Sequence, residues 1–131
     1  MKNTKRLGDF GEKIARMFLE RKGYKILAQN YRLKQARKEI DIIAADGEYI
    51  IFAEVKTSGN PGFATPAEHV GPRKQEAVIS AAKGWIYENP GTGLQPRFDV
   101  IEVYHDKNTG KNYVRHIENA FIDKGDKGGE L

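Results

Sequence analysis

Three charged side chains that could form a metal site lie in two neighbouring apolar segments. Asp41 belongs to the first segment, and Glu54 and Lys56 belong to the second. Carboxylate oxygens are the ligands that hard divalent cations prefer, and two carboxylates held together away from water need a positive charge between them. The three residues therefore point to a divalent-cation site if the fold brings them together. The alternative is a salt-bridge cluster at a frayed strand end.

The two segments predict a β-hairpin. Strands at 39–45 and 48–56 are rich in Ile, Val and aromatic residues, and Asp46-Gly47 separates them. Asp-Gly between such strands is a strong signal for a two-residue turn. Because both faces of the hairpin are mostly apolar, we expect it to be covered on both sides, as in the middle of an α/β sheet.

The turn fixes the register of the hairpin and hence its two faces. A two-residue Asp-Gly loop pairs Ile43 with Ile50. It makes Asp41 and Glu54 diagonal neighbours, with Cβ atoms roughly 7 Å apart or somewhat less, so that both carboxylates reach one cation. One face then carries Ile40, Ile42, Ala44, Tyr49, Ile51, Ala53 and Val55, and the other carries Ile43, Ile50, Phe52, Glu39, Asp41, Glu54 and Lys56.

Asp41 followed by Glu54-Val55-Lys56 resembles the PD-(D/E)-X-K signature of the restriction-endonuclease-like nucleases, with Ile40 at the proline position. Further segments across residues 6–104 are similar to the YraN family of small bacterial proteins. The pattern departs from that family at Lys38, where glycine is common, and at Thr57 and Ser58, where a basic residue is common. The similar segments are Gly8-X-X-Gly11-Glu12, Gly23-Tyr24, Gln29-Asn30, Glu39-Ile-Asp-Ile-Ile-Ala, Phe-Ala-Glu-Val-Lys, Lys74, Ala82 and Arg97-Phe-Asp-Val.

The resemblance implies a restriction-endonuclease-like fold and a site for Mg²⁺ or Mn²⁺. Lys56 would orient the attacking water or stabilise charge on the phosphorane. Glu12 or Glu39 would add a ligand directly or through water, although a solvated helix charge is the commoner fate of a residue such as Glu12. The full set of expected metal ligands is Asp41, Glu54, Glu12, Glu39 and the carbonyl group of Val55.

The remaining elements give the order α-β-β-β-α-β-β, which favours an α/β fold with a mixed sheet flanked by helices. In the first helix we expect Asp9 as N-cap and Gly23 as the stop, with Glu12 off the apolar stripe. That stripe is formed by Phe10, Ile14, Met17 and Phe18. Beyond the hairpin, the predicted elements are helices at 9–22 and 72–88 and strands at 24–33, 97–104 and 112–117, the last at a sheet edge.

Positive charge is concentrated at the start of the chain. Residues 1–38 contain 12 Lys and Arg against 3 acidic residues, a net charge of +9 within a total of +4. This surface is a candidate for binding phosphates, and ordinary solubility is the alternative. The residues expected to contact nucleic acid are Arg32, Lys34, Arg37, Lys38 and Lys74.

Composition narrows the class of protein. A chain of 131 residues suits one domain, expected at 1–122, and the Lys, Gly, Asp and Glu of 123–131 predict a disordered tail. The absence of cysteine excludes thiolate sites and disulfides, and the three histidines are scattered. With no apolar run long enough for a membrane span, we expect a soluble cytoplasmic protein.

Two functions follow from these observations. The first is a Mg²⁺- or Mn²⁺-dependent endonuclease acting on DNA or a related nucleic acid. The second is a non-catalytic nucleic-acid-binding module that keeps the nuclease fold. Related junction-cleaving enzymes act as dimers, so a homodimer is left open. The sequence leaves the choice between DNA and RNA, and between branched, duplex and single-stranded substrates, open as well.

Overall fold

The computed structural model describes residues 2–32, 39–59 and 70–124, and only the backbone of residues 2–4. The order of the described elements confirms the predicted α-β-β-β-α-β-β arrangement. They are α1 (Lys2–Arg21), β1 (Lys25–Arg32), β2 (Glu39–Asp46), β3 (Tyr49–Ser58), α2 (Pro72–Glu88), β4 (Gln95–His105) and β5 (Asn112–Phe121). Within these residues, neither helix combines the length and apolar character needed to cross a bilayer.

The five strands form one mixed sheet in the order β1-β2-β3-β4-β5. The pairs β1–β2, β2–β3 and β4–β5 are antiparallel, whereas β3 and β4 are parallel and α2 lies between them in the chain. The predicted position of the last strand at an edge is correct. Because β3 and β4 are parallel, their carboxyl ends meet at the same end of the sheet, which is where α/β sheets commonly bind ligands.

Both faces of the sheet are buried, each in a cluster that includes one helix. This explains why the central strands are apolar on both sides rather than alternating. The α2-side cluster includes Ile43, Ile50, Phe52, Val78, Ala82, Trp85, Phe98 and Val100. The α1-side cluster includes Ala15, Leu19, Tyr24, Ile42, Ala44, Ile51, Ala53, Ile101 and Val103.

Helix α1 is longer than predicted, because it begins at Lys2 instead of after Asp9. The predicted N-cap role of Asp9 is therefore wrong. The first turns contain no proline, so no residue there interrupts the helix. The predicted stop at Gly23 is confirmed, since the helix ends at Arg21 and Gly23 adopts a φ of +93°, a conformation that glycine tolerates.

The buried side of α1 is also shifted from the predicted stripe. Ala15 and Leu19 are fully buried, whereas Phe10 is 36% exposed. Gly11 precedes Ala15 by one turn and is buried as well. Small residues on this line let the helix approach the sheet closely, so Ile14 and Phe18 pack at its margin.

The turn of the hairpin consists of Gly47 and Glu48. The prediction that Asp46 belongs to the loop is wrong, because Asp46 pairs with Tyr49. Gly47 adopts a φ of +59°, and a turn that needs positive φ at its first central position suits Gly-X. Each residue of β2 consequently pairs two positions further along β3 than predicted. A shift of two leaves the faces of the strands unchanged.

Strand β2 loses its regular alternation at Asp41. Ile40 packs in the α2-side cluster and Ile42 in the α1-side cluster, so the prediction that they share a face is wrong. Opposite this point in β1, Asn30 has a φ of +52°. The carboxylate of Asp41 accepts a hydrogen bond from the backbone N–H of Val55 at 2.8 Å. The Asp41 side chain therefore takes the place of a backbone hydrogen bond between β2 and β3.

A buried polar cluster joins β4 to β5 and to the start of β1. Asp99 is fully buried and accepts hydrogen bonds from Arg97 at 2.8 and 3.0 Å, from His116 at 2.7 Å and from the N–H of Asn119 at 3.0 Å. Arg97 also donates to the hydroxyl of Tyr24 at 2.9 Å. Burial raises the pKa of Asp99, but the bonds from His116 and Arg97 outweigh it and hold that pKa below its usual value.

Replacing Asp99 tests whether this cluster stabilises the fold. Asp99→Asn should lower the free energy of unfolding by about 3 kcal/mol at neutral pH, because it leaves the buried Arg97 without its closest counter-charge. A depressed pKa contributes stability above the ordinary carboxyl value of about 3.9, and the contribution is lost as pH falls through the folded value. Urea unfolding should therefore show the difference shrinking only below about pH 4.

The control for this substitution is Glu20→Gln. Glu20 pairs with Arg16 across an exposed turn of α1, where an ion pair is worth at most about 1 kcal/mol. Equal losses from the two substitutions, or a loss at Asp99 that does not depend on pH, would contradict the account of the buried cluster.

Candidate active site at the carboxyl end of β3

Asp41 and Glu54 come together on adjacent strands. The β2–β3 ladder ends at the pair Ile42 and Ala53, and Asp41 and Glu54 are the next residues outward. They therefore lie across from each other, not diagonally as predicted. The hydrogen bond from the N–H of Val55 fixes the Asp41 carboxylate against β3. Glu54 is only 1% exposed, so its charge is held inside the protein.

Two ammonium groups lie beside the Glu54 carboxylate. Lys74 Nζ is 3.4 Å and Lys56 Nζ is 4.0 Å from Oε2 of Glu54. Lys56 shares the sheet face of Glu54, whereas Lys74 comes from the first turn of α2. A cation in the first turn opposes the helix dipole, and the buried carboxylate is the feature that compensates for it.

Lys74 forms an ion pair with Glu54 at 3.4 Å. Burial lowers the pKa of Lys74, but the charges of Glu54 and Asp41 outweigh this effect and leave the pKa raised. The ammonium group of Lys74 thus serves as a counter-ion for Glu54 and lies within electrostatic range of Asp41. This position attracts positive charge.

Glu12 approaches the same carboxylates from α1. Burial raises its pKa, as do the neighbouring charges of Asp9, Glu39 and Glu54, while a hydrogen bond with the side chain of Asn30 lowers it. Glu12 therefore lies within electrostatic range of Glu54, and Glu39 lies within electrostatic range of Glu12. Asn30 was not predicted as a site residue. Its signals were the Gln29-Asn30 pair in the family resemblance and the tolerance of Asn for positive φ.

The predicted basic contacts are only partly described. Arg32 is exposed at the end of β1, where it pairs with Glu39 in the ladder. Lys34, Arg37 and Lys38 lie outside the described residues. The proposed role of the Val55 carbonyl as a ligand stays a prediction.

A second buried carboxylate extends the site onto β4 and β5. Glu102 is 1% exposed and is the ladder partner of Lys56 on β3 and of Arg115 on β5. Its Oε1 atom accepts a hydrogen bond from Nε of Arg115 at 2.6 Å and forms an ion pair with Nη2 at 2.5 Å. Sequence reasoning missed this pair. Its signal was a glutamate inside an otherwise apolar strand.

In the parts of the chain that are described, no three acidic, histidine or cysteine side chains surround one point. The centre of the site is instead a pair of carboxylates with two lysines. Two carboxylates on adjacent strands are hard oxygen donors, which suits Mg²⁺ or Mn²⁺. The remaining ligands of such an ion would be water, substrate oxygens or the more distant glutamates.

The fold and this site define a small α/β protein with paired carboxylates at the end of its central strands. Residues 11–103 match the sequence model described as "Uncharacterised protein family UPF0102". The chain belongs to the UPF0102 family, which confirms the predicted YraN relationship.

Relatives match almost their whole length. The UPF0102 protein of Clostridioides difficile is 46% identical over 91% of this chain and 99% of the relative. Those of Chlorobaculum tepidum and Caldanaerobacter subterraneus subsp. tengcongensis are 44% and 42% identical, over 93% and 91% of this chain and 95% and 97% of the relatives.

The contact between α1 and β3 offers a test of how Glu12 is positioned. A Cβ atom on Gly11 would lie 1.9 Å from Oγ1 of Thr57 and 2.8 Å from its Cβ. Gly11→Ala should therefore push the helix from the strand and cost about 1–3 kcal/mol of unfolding free energy. Thermal and urea unfolding measure this cost.

Gly8→Ala is the matched control in the same helix. A Cβ on Gly8 meets nothing within 4 Å. Alanine is a better helix former than glycine, so this variant should gain roughly 0.5–1 kcal/mol. Two variants with the same change in stability would show that α1 does not pack on Thr57 as described.

Proposed function

We propose that this protein is a divalent-metal-dependent nuclease that hydrolyses phosphodiester bonds in DNA or a related nucleic acid. The observation that carries the proposal is the convergence of Asp41, Glu54 and Lys56 at the carboxyl end of β3. The resemblance of these residues to the PD-(D/E)-X-K signature supports it. So does the net charge of +9 in residues 1–38, which favours a polyanionic substrate.

Asp41 and Glu54 are the residues that would hold Mg²⁺ or Mn²⁺. When bound, such an ion supplies Lewis-acid polarisation of a phosphoryl oxygen and neutralises developing charge. Asp41 is preorganised for this task by its hydrogen bond from Val55, and Glu54 by its burial. The ion pair between Lys74 and Glu54 supports the fit, because an ammonium group already finds favourable charge there.

Lys56 is the residue assigned to the chemical step. Its side chain is 23% exposed, so its ammonium group can reach solvent and substrate while remaining near Glu54. At this place it orients the attacking water or stabilises the charge that grows on the phosphate. Such interactions strengthen in the transition state and contribute little to binding of the ion.

A non-catalytic nucleic-acid-binding module is the second candidate. The observation that favours it is the ion pair between Lys74 and Glu54 at 3.4 Å, which already neutralises a carboxylate that a metal ion would use. In that case the cluster stabilises the fold, and the basic residues bind phosphates without cleavage. Nucleic-acid affinity that decreases with salt is expected for both candidates, since both release counterions on binding.

Titration of Mg²⁺ and Mn²⁺ against thermal unfolding distinguishes the two candidates. The unmodified protein should be stabilised, by about 2.7 kcal/mol when the ion is at 100 times its Kd. Asp41→Asn should abolish this effect, and should raise metal-free stability because one of two close carboxylates loses its charge. Asp46→Asn is the matched control, since it makes the same change at the far end of β2 and should leave the metal response intact.

Cleavage is the second measurement on the same proteins. Branched, duplex and single-stranded substrates are compared with either ion present. Lys56→Ala should keep the metal-dependent stabilisation and lose cleavage, because its task belongs to the transition state. If the unmodified protein shows no metal-dependent shift and behaves like Asp41→Asn, the nuclease proposal is wrong and the binding module replaces it.

A further inference from the structure

The sheet face that carries Glu54 and Lys56 continues across β4 and β5. Lys56 pairs with Glu102, and Glu102 pairs with Arg115, so the three side chains stand in one row on neighbouring strands. Strands lie about 4.8 Å apart, which puts the Cα atoms of Lys56 and Arg115 roughly 10 Å from each other. Two residues further along β5, Ile117 packs in the α2-side cluster, which confirms the face.

Arg115 is a partly exposed cation on a buried support. Its side chain is 44% exposed, while the Glu102 carboxylate that holds it is 2% exposed. A hydrogen bond from Nε and an ion pair through Nη2, both to Oε1 of Glu102, hold the guanidinium group in place. A guanidinium group has five N–H donors in a planar fork, a geometry that suits phosphate oxygens. The Glu102–Arg115 pair thus presents an oriented guanidinium group beside Glu54 and Lys56, the catalytic candidates on this face.

An aromatic pair lies next to Arg115 on the same face. Tyr104 on β4 and Tyr113 on β5 are ladder partners whose rings stack, with centroids 5.7 Å apart and an angle of 19° between their planes. Tyr113 is two residues from Arg115, so their Cα atoms are roughly 7 Å apart. Tyr113 is also 45% exposed, which leaves much of its ring in contact with solvent.

We infer that the surface formed by Arg115 and Tyr113 binds a single nucleic-acid strand, with Arg115 on a phosphate and Tyr113 stacked on an unpaired base. The inference rests on the proposed function and specifies its substrate class: a nucleic acid with an unpaired segment beside the scissile phosphate. An unpaired base has an accessible π-face, whereas a base inside a duplex is already stacked on both sides. Single-stranded nucleic acid is bound through two kinds of contact: a cation that binds a phosphate and an aromatic side chain on which a base stacks. Arg115 and Tyr113 offer both on β5.

Charge on this end of the sheet fits the same occupant. Lys56, Lys74 and Arg115 all lie on the α2 side of the sheet near the ends of β3 and β4. Their carboxylate partners, Glu54 and Glu102, are buried and face inward. The positive groups are therefore the ones nearer the solvent, and a sugar-phosphate backbone meets cations along this row.

Fluorescence of an introduced tryptophan tests the stacking contact directly. In Tyr113→Trp, addition of a short oligothymidylate at low salt should quench the new emission in a saturable way, because the indole stacks on a base. The control is Tyr87→Trp, at a position on α2 that is 87% exposed. It should show no such quenching. A blunt duplex of equal length should quench much less than the single strand.

Affinity provides a second measurement. Tyr113→Ala should weaken single-strand binding by about five-fold or more, and Tyr113→Phe should restore it. The double variant Glu102→Gln/Arg115→Gln removes a buried charge together with its partner, so the fold is not left with an unpaired charge. It should lower affinity and reduce the salt dependence by about one ion. Lys83→Gln, at an exposed position of α2, is the control and should change neither.

The outcomes separate this inference from the proposed function. The single-strand surface is wrong if the protein binds and cleaves nucleic acid but the fluorescence of Tyr113→Trp is not quenched. It is also wrong if a duplex quenches that fluorescence as strongly as a single strand. Either result leaves the nuclease proposal standing. Quenching by the single strand when no metal response exists would uphold the surface and favour the binding module. If no nucleic acid binds at low salt, both the inference and the proposed function are wrong.

Discussion

Two neighbouring carboxylates, one buried and one half-buried, need a positive charge beside them, and this requirement organises the whole end of the sheet. The hairpin places Asp41 and Glu54 across from each other, and α2 begins where it can supply Lys74. Removing these charges from water is unfavourable, and each charged group would destabilise the fold if it lacked its partner. A site in which carboxylates attract a lysine ammonium group is well suited to exchange that cation for another.

The sheet that carries Asp41 and Glu54 is rigid because both faces of the sheet are covered. Substitutions in the clusters under α1 or α2 reach the site through the strands themselves, since Ile42 and Ala53 are adjacent to Asp41 and Glu54 in the chain. The buried Arg97–Asp99 pair lies on β4, the neighbour of β3, on the α1 side of the sheet. The site and the core are therefore parts of one packed unit rather than a surface feature on an independent scaffold.

The sequence predicted the elements that depend on local signals and missed those that depend on close contacts. Apolar periodicity and Asp-Gly were enough for the hairpin, the faces of β3 and the limits of α2, whereas Ile40 lies on the opposite face from the one predicted. The loop position was wrong because only the three-dimensional turn reveals that positive φ is needed at Gly47 alone. The ion pair of Lys74 with Glu54 joins α2 to β3, and the Glu102–Arg115 pair joins β4 to β5, so both depend on contacts between elements far apart in the chain. No spacing rule could have predicted them.

The arrangement of β3 and β4 has a consequence for the order in which the protein folds. The hairpin of β2 and β3 closes through contacts between residues close in the chain, whereas parallel pairing of β3 with β4 requires the long connection that contains α2. Local contacts form on a faster timescale than such crossovers. We therefore expect the acidic pair to assemble with Lys56 beside it before α2 brings Lys74, and dissolved cations to favour this step by reducing the repulsion between the carboxylates.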